Sequence, residues 1–223
     1  MINQEKLFRT FPNIENVPQS YSQIGQDIFV LSVLNGKLNG RYVEIGAYHP
    51  TEISNTYVLE TYYNYTGVSL DINQQAVDYF NQHRKNKAVL QNAITADYGS
   101  LFTSLGYDDT KIIDYASVDC EPPSNTFLAL KQLMSSGYKF RVITFEHDTY
   151  QDHTKSIKQE SRKLLKGLGY TLLVGGILGQ SGSYDTEDWY VHMDLVDKPR
   201  ILSYISTREN IWWAEYLYHT IPT

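Results

Sequence analysis

RYVEIGAY, residues 41–48, is a β-branched and aromatic run that stops abruptly at Gly46. Such a run reads as a buried strand closed by a tight turn. TGVSLDIN, residues 66–73, repeats the pattern and ends in an acid, Asp71. Between them Ser54 or Asn55 can cap a helix carrying Val58, Leu59 and Tyr62. Strand, helix, strand in this order is a βαβ unit, which implies a parallel pair. Working outward, Asn73 caps a helix with Val77 and Phe80, and KAVLQNA (87–93) supplies a third strand. After a polar interval, KIIDYASVDC (111–120) reads as a strand and SNTFLALKQLMSSG (124–137) as a helix closed by Gly137. FRVITFEHD (140–148), a helix from about Thr154 to Gly167, YTLLVGG (170–176) and DWYVHMDLV (188–196) continue the alternation. Upstream, Ser22 reads as the cap of a helix bearing Ile24, Ile28, Leu31 and Leu34, stopped by Asn35-Gly36. An aromatic helix from Ile211 to Tyr218 ends the pattern.

The expected fold is therefore α/β: a doubly wound, mostly parallel seven-stranded sheet, with an antiparallel edge made by the two late strands. Residues 1–38 form an N-terminal helical extension and residues 39–223 the main domain. At 223 residues the chain can bury a core without staples, and its single cysteine, Cys120, forms no internal disulfide. No apolar run is long enough for a membrane span, and no leader pattern opens the chain. A cytoplasmic location is the resulting expectation. Nineteen basic against 25 acidic residues give a net charge of −6, with no basic cluster of the kind that grips nucleic acid. Nucleic acid and membrane are accordingly not expected partners. The 19 tyrosines are amphipathic fillers that would also suit a sugar or aromatic ligand.

In an open parallel sheet, ligands bind at the carboxyl ends of the strands. Here those ends carry Glu44-Ile45-Gly46-Ala47, Asp71-Ile72, Asn92-Ala93-Ile94, Asp119-Cys120-Glu121 and Glu146-His147-Asp148. An acid ending the second strand suits a ribose diol, because one carboxylate accepts from both hydroxyls. The first turn lacks G-x-G-x-x-G, so it offers no cradle for a pyrophosphate. Glu44 instead puts negative charge where a dinucleotide would be repelled and a cationic cofactor tail attracted. Gly46 would let the backbone approach that ligand. A nicotinamide oxidoreductase is disfavoured on the same grounds.

These segments resemble the FkbM family of methyltransferases. The matching pieces are SQIGQDIFVLSVLNG, YVEIGAYHPTEISNTYVLE, GVSLDIN, NAIT, IDYASVDCEP, RVITFEH and EDWYV, in family order from Ser22 to Val191. The resemblance implies a Rossmann-like methyltransferase fold, S-adenosylmethionine as cofactor and a sugar or other small-molecule hydroxyl as acceptor. It implies that Glu44, Gly46 and Ala47 line the methionine end, that Asp71 holds the ribose and that Ile72 packs on the adenine. Ala93 and Ile94 would border the adenine, Asp119 would lie beneath the transferred methyl, and Asn55 would help close the pocket. Two departures stand out. Tyr48-His49-Pro50 replaces the family's Asn-x-Gly after Gly-Ala, and Glu121-Pro122-Pro123 replaces Glu-Gly followed by another acid.

Transfer to a hydroxyl needs a base within hydrogen-bond reach, and Asp119, Glu121 and His147 are the candidates. Asp119, Glu121 and Asp148 could alternatively hold a divalent cation, although no spacing demands one and no metal is expected. His147 and His153 lie too far apart for a helical zinc pair. Cys120, between two acids, should be a poor nucleophile. Tyr48 and His49 could meet the acceptor or simply pack. Trp212, Trp213, Tyr216 and Tyr218 could pack on the sheet, form a dimer contact or make a sugar platform. An alternative to the enzyme is a catalytically inactive methyltransferase-like binding or scaffold protein.

Overall fold

The structure is a computed structural model that describes residues 10–107, 109–152, 156–179 and 182–218. Seven strands form one sheet: β1 (Arg41–Ile45), β2 (Thr66–Asp71), β3 (Lys87–Leu90), β4 (Ile112–Val118), β5 (Lys139–Glu146), β6 (Tyr170–Leu178) and β7 (Asp185–His192). Their spatial order is β3-β2-β1-β4-β5-β7-β6. The order reverses between β1 and β4, which pair in parallel with Glu44 opposite Ser117. Helices α1 (Gln26–Val33), α2 (Tyr57–Tyr63), α3 (Gln74–His83), α4 (Tyr98–Ser104), α5 (Pro123–Met134) and α6 (Ser156–Gly167) flank the sheet, with α7 (Lys198–Leu202) and α8 (Trp213–Tyr218) following β7.

Strand alternation sorts the core into two layers. Tyr42, Tyr115, Val142 and Trp189 point to one side and pack with α1, α2 and α8. Val43, Ala116, Ile143 and Tyr190 point to the other and pack with α4, α5 and α6. On the first side Phe29 of α1 stacks on Trp189 with ring centroids 4.3 Å apart, and Tyr216 of α8 meets Trp189 edge-on. The C-terminal aromatics thus pack on the sheet, although Trp212 stays about half exposed. The apolar residues of the 10–38 segment, Ile28 and Phe29 among them, belong to this same layer.

The two late strands form the expected antiparallel edge: a short connection turns the chain back after β6 and inserts β7 between β5 and β6. Several local expectations need correction. The cap of α1 is Gly25, at φ 81°, because Ser22 spends its hydroxyl on Asp27 at 2.8 Å. A Cβ at Gly25 would collide with Leu217 and Trp213 of α8. Thr56 caps α2, with Ser54 Oγ accepting from the Tyr57 amide at 3.2 Å. Asn73 does cap α3, its Oδ1 accepting from the Gln75 amide at 2.9 Å. α4 occupies the polar interval, started by Asp97 accepting from the Ser100 amide at 3.0 Å. Thr154, the expected start of the sixth helix, and His153 lie outside the described residues. Among the described residues, no helix is long and apolar enough to cross a membrane.

Candidate functional site

The carboxyl ends of β1, β2, β3 and β4 enclose a cavity of about 370 Å3, on the side where the strand order reverses. Gly46, Asp71, Ile72, Ala93, Ile94, Asp119 and Glu121 all line it. Ile45, Tyr48, Ile53, Leu70, Gln91, Asn92, Cys120 and Asn125 complete its wall. Among the described residues, no lysine or arginine lines it.

Each wall residue is placed by ordinary strand and turn chemistry. β1 ends where the Gly46 and Ala47 amides both donate to the Leu70 carbonyl, at 2.9 and 3.1 Å. Gly46, at φ 91°, lies so close to β4 that an added Cβ would strike the carbonyl oxygen of Asp119. The glycine therefore serves a close approach between chain segments, where the sequence suggested an approach to ligand. Asp71 closes β2 with both oxygens engaged: Oδ2 accepts from the Tyr48 amide at 2.9 Å and Oδ1 from the Asn73 amide at 2.8 Å. That grip holds the carboxylate at the cavity rim with lone pairs to spare. Ile72, 74% exposed, presents an apolar surface beside it.

Four of the expected site residues lie elsewhere. Glu44 is buried behind the cavity wall, its Oε2 accepting from Ser69 Oγ at 2.6 Å and Thr56 Oγ1 at 2.9 Å. Burial raises its pKa, and the nearby Arg84 opposes that rise. Ala47 is buried against Val77 and Phe80 of α3. Asn55 donates to Ser117 Oγ at 2.9 Å, tying the turn before α2 to β4. His147 is fully buried, with Nε2 3.3 Å from Asp188 Oδ1, and does not line the cavity. His49 is also occupied locally, its Nδ1 accepting from the Thr51 and Glu52 amides.

Beyond Asp119 the acids continue across the sheet. Glu146 ends β5 next to Asp119, and Glu187 of β7 sits directly opposite Glu146 in register. Burial pushes Asp119 and Glu146 up, and the hydrogen bond between their carboxyls places the proton on Glu146. Burial pushes Glu187 up to about 8, against hydrogen bonds from Trp189, Thr144 and Gln26. The Trp189 bond, from Nε1 to Oε2, is 2.7 Å long. Asp148, in the turn after β5, is pushed up to about 7 by burial and by its contact with Glu121. Burial, followed by the charge of Asp119, lifts the Cys120 thiol to about 12, so it is no nucleophile at neutral pH.

Glu187 and Gln26 were not found from the sequence. The alternation of D-T-E-D-W carries the signal for Glu187, but the DWYVHMDLV reading starts at Asp188 whereas the strand starts at Asp185. Gln26 belongs to the S-Q-I-G-Q-D stretch, whose Asp27 is held by Ser20 Oγ at 2.6 Å, Ser22 Oγ at 2.8 Å and the Tyr21 amide at 2.8 Å. This knot fixes the start of α1 and so aims Gln26 at Glu187.

No family model and no curated protein sequence matches the chain. Solved structures do match it. An O-methyltransferase from Bacillus cereus, in complex with SAH, is similar over 80% of this chain and 85% of its own, at 14% identity and a TM-score of 0.51. M. jannaschii TYW2, in complex with AdoMet, is similar over 80% of each chain, at 11% identity and a TM-score of 0.50. The match to S. pombe Dnmt2 methyltransferase, at 20% identity and a TM-score of 0.49, covers 69% of this chain but only 49% of that longer one. The chain has the Rossmann-like fold of class I methyltransferases.

Proposed function

We propose that the protein is an S-adenosylmethionine-dependent methyltransferase of the FkbM type, acting on a hydroxyl of a sugar or other small molecule. The observation that carries this reading is the cavity: Asp71 held by two backbone amides at its rim, Ile72, Ala93 and Ile94 beside it, and Asp119 at its inner end. Its volume is that of a small-molecule site. Asp71 accepts from the ribose hydroxyls, and Ile72 with Ile94 sandwiches the adenine. Glu44 supports the first turn from behind by bonding Ser69 and Thr56, and does not itself touch ligand. Bound there, the cofactor supplies an electrophilic methyl group on a sulfonium.

Methyl transfer from that cofactor to the acceptor oxygen would form an O–CH3 bond at the expense of the S–CH3 bond and would release the hydroxyl proton. Asp119, which lines the cavity, takes that proton. Glu121, exposed at the rim, is the second choice. His147 is not one, being fully buried against Asp188 and absent from the cavity lining. Alignment of hydroxyl, methyl and sulfur supplies most of the rate. An acid-lined mouth without lysine or arginine favours an uncharged acceptor and disfavours a polyphosphate chain.

Calorimetric titration with S-adenosylhomocysteine, beside Asp71→Ala, tests the cofactor site. Micromolar binding that the variant weakens at least tenfold, about 1.4 kcal/mol, is expected. A folded wild-type protein that does not bind would sink the reading. Binding without turnover on any of a broad panel of hydroxyl acceptors would leave the non-catalytic binding module in its place.

A further inference from the structure

We infer that Glu121, Glu146 and Asp148 form a binding site for one hard divalent cation at the inner rim of the cavity. The three residues come from two turns. Glu121 follows β4, Glu146 ends β5, and Asp148 stands two residues beyond it. One carboxylate oxygen from each lies within 4.8 Å of those of the other two. Oxygens bound to a common ion at 2.0–2.6 Å sit up to about 5 Å apart, so a small contraction closes the site.

The cluster is more than a group of surface acids. Asp148 is only 2% exposed, and its Oδ1 is buried with no hydrogen-bond partner. A buried carboxylate oxygen in that condition is costly unless something positive reaches it. Among the described residues, no lysine or arginine is ion-paired with any of the three. The neighbouring basic groups are committed elsewhere: Lys158 binds Asp185 at 2.5 Å and Arg162 binds Asp188 at 2.7 Å. Among the described residues, the neutral amide of Gln151 bridges two of the acids, and the Tyr150 hydroxyl also bonds Asp148. Gln151 Nε2 donates to Glu121 at 2.9 and 3.0 Å and more weakly to Asp148 Oδ2 at 3.4 Å. A cation would complete the coordination that Gln151 only half supplies.

An all-oxygen donor set with no histidine or cysteine selects the magnesium, manganese and calcium class over zinc or copper. Glu121 lines the cavity beside Asp119, so the ion would face the acceptor and lower the pKa of a bound hydroxyl. Asp119 stays free to receive the proton. The site revises the expectation that no metal takes part, with Glu146 standing where Asp119 was suggested as a ligand.

Manganese is the probe, titrated into the metal-free full chain and followed by the electron paramagnetic resonance signal of the free ion. One ion per chain is expected, displaced by excess magnesium or calcium. Glu146→Gln and Asp148→Asn should each weaken binding at least tenfold, while Asp109→Asn, at the other end of the sheet, should not change it. Thermal melts run alongside give a second readout: manganese should raise the wild-type Tm and leave that of Asp148→Asn unmoved. Failure to bind one ion at about 1 mM free manganese, or equal binding by folded Asp148→Asn and Glu146→Gln, overturns the site. The test needs no cofactor. Homocysteine-product binding without manganese binding defeats this inference alone, and the converse defeats the methyltransferase reading alone.

Discussion

β7 carries two acids on successive residues, and the sheet treats them in opposite ways. Asp188 faces the α6 side, where Arg162 donates to both its oxygens at 2.7 and 2.9 Å and the Gly176 amide and Tyr190 hydroxyl add two more bonds. Although burial opposes it, that company holds its carboxyl well below the ordinary range. Glu187 faces the α1 side, receives only neutral donors, and is pushed up to about 8. Burial is nearly complete for both. What differs is the partner, and the difference separates structure from chemistry. A buried acid with an arginine is a fixed strut; a buried acid among other acids must hold a proton or recruit a cation.

The sharpest way to break the contrast is to remove the strut. Arg162→Met leaves Asp188 buried and without its arginine, which should cost about 3 kcal/mol. For a chain of this length that lowers Tm by about 6–12 °C. Adding Asp188→Asn to the same chain should return part of the loss, since no charge then remains to be stranded. Equal melting of wild type and Arg162→Met would show that Asp188 does not depend on its partner.

The other side responds to pH. Glu187 is raised from its ordinary value to about 8, so the native state binds a proton that the unfolded chain has released. Its contribution is complete below about pH 4.5 and is lost as pH rises through 8. Wild-type stability should therefore fall between pH 5 and pH 8, and Glu187→Gln should remove on the order of 2 kcal/mol of that fall. Asp148, raised to about 7, adds to the slope in the same direction. Urea titrations at three pH values check this. An unchanged slope in Glu187→Gln would mean that the proton resides elsewhere in the row.

This contrast also shows what a single sequence can disclose. The parallel strands are legible because β1, β2, β4 and β5 are apolar runs closed by acids, and only burial on both faces produces such runs. The rim of the cavity is legible for the same reason: strand ends in a doubly wound sheet converge on one place. Sequence order does not reveal which way a side chain faces when a strand's start is uncertain by one residue. That single step hid Glu187, and the order of residues does not show that His147 is buried against Asp188. Short elements are equally hard to read. α4 and α7 have too few turns to show a periodicity, and the start of α1 is set by a serine–aspartate knot and Gly25 packing against α8.

The smallest effect lies in the first turn, where the chain departs from the family pattern. Tyr48 sits at φ 40°, a left-handed conformation that costs a bulky residue about 1 kcal/mol. Asparagine tolerates it better, which explains in backbone terms why the resembling family carries Asn at this point. The turn itself is held by the Tyr48 amide bonding Asp71, a contact that any residue except proline can make. Because Tyr48 is 68% exposed, replacing it forfeits little burial. Tyr48→Asn should therefore raise stability by about 0.5–1 kcal/mol, a Tm gain of about 1–4 °C. Glycine would gain less, since it also frees the unfolded chain. Asp71 keeps its place in either variant, so S-adenosylhomocysteine affinity should change less than in Asp71→Ala. A Tyr48→Asn protein that is more stable yet loses binding as severely as Asp71→Ala would reassign Tyr48 from a strained turn residue to the ring on which the ligand stacks.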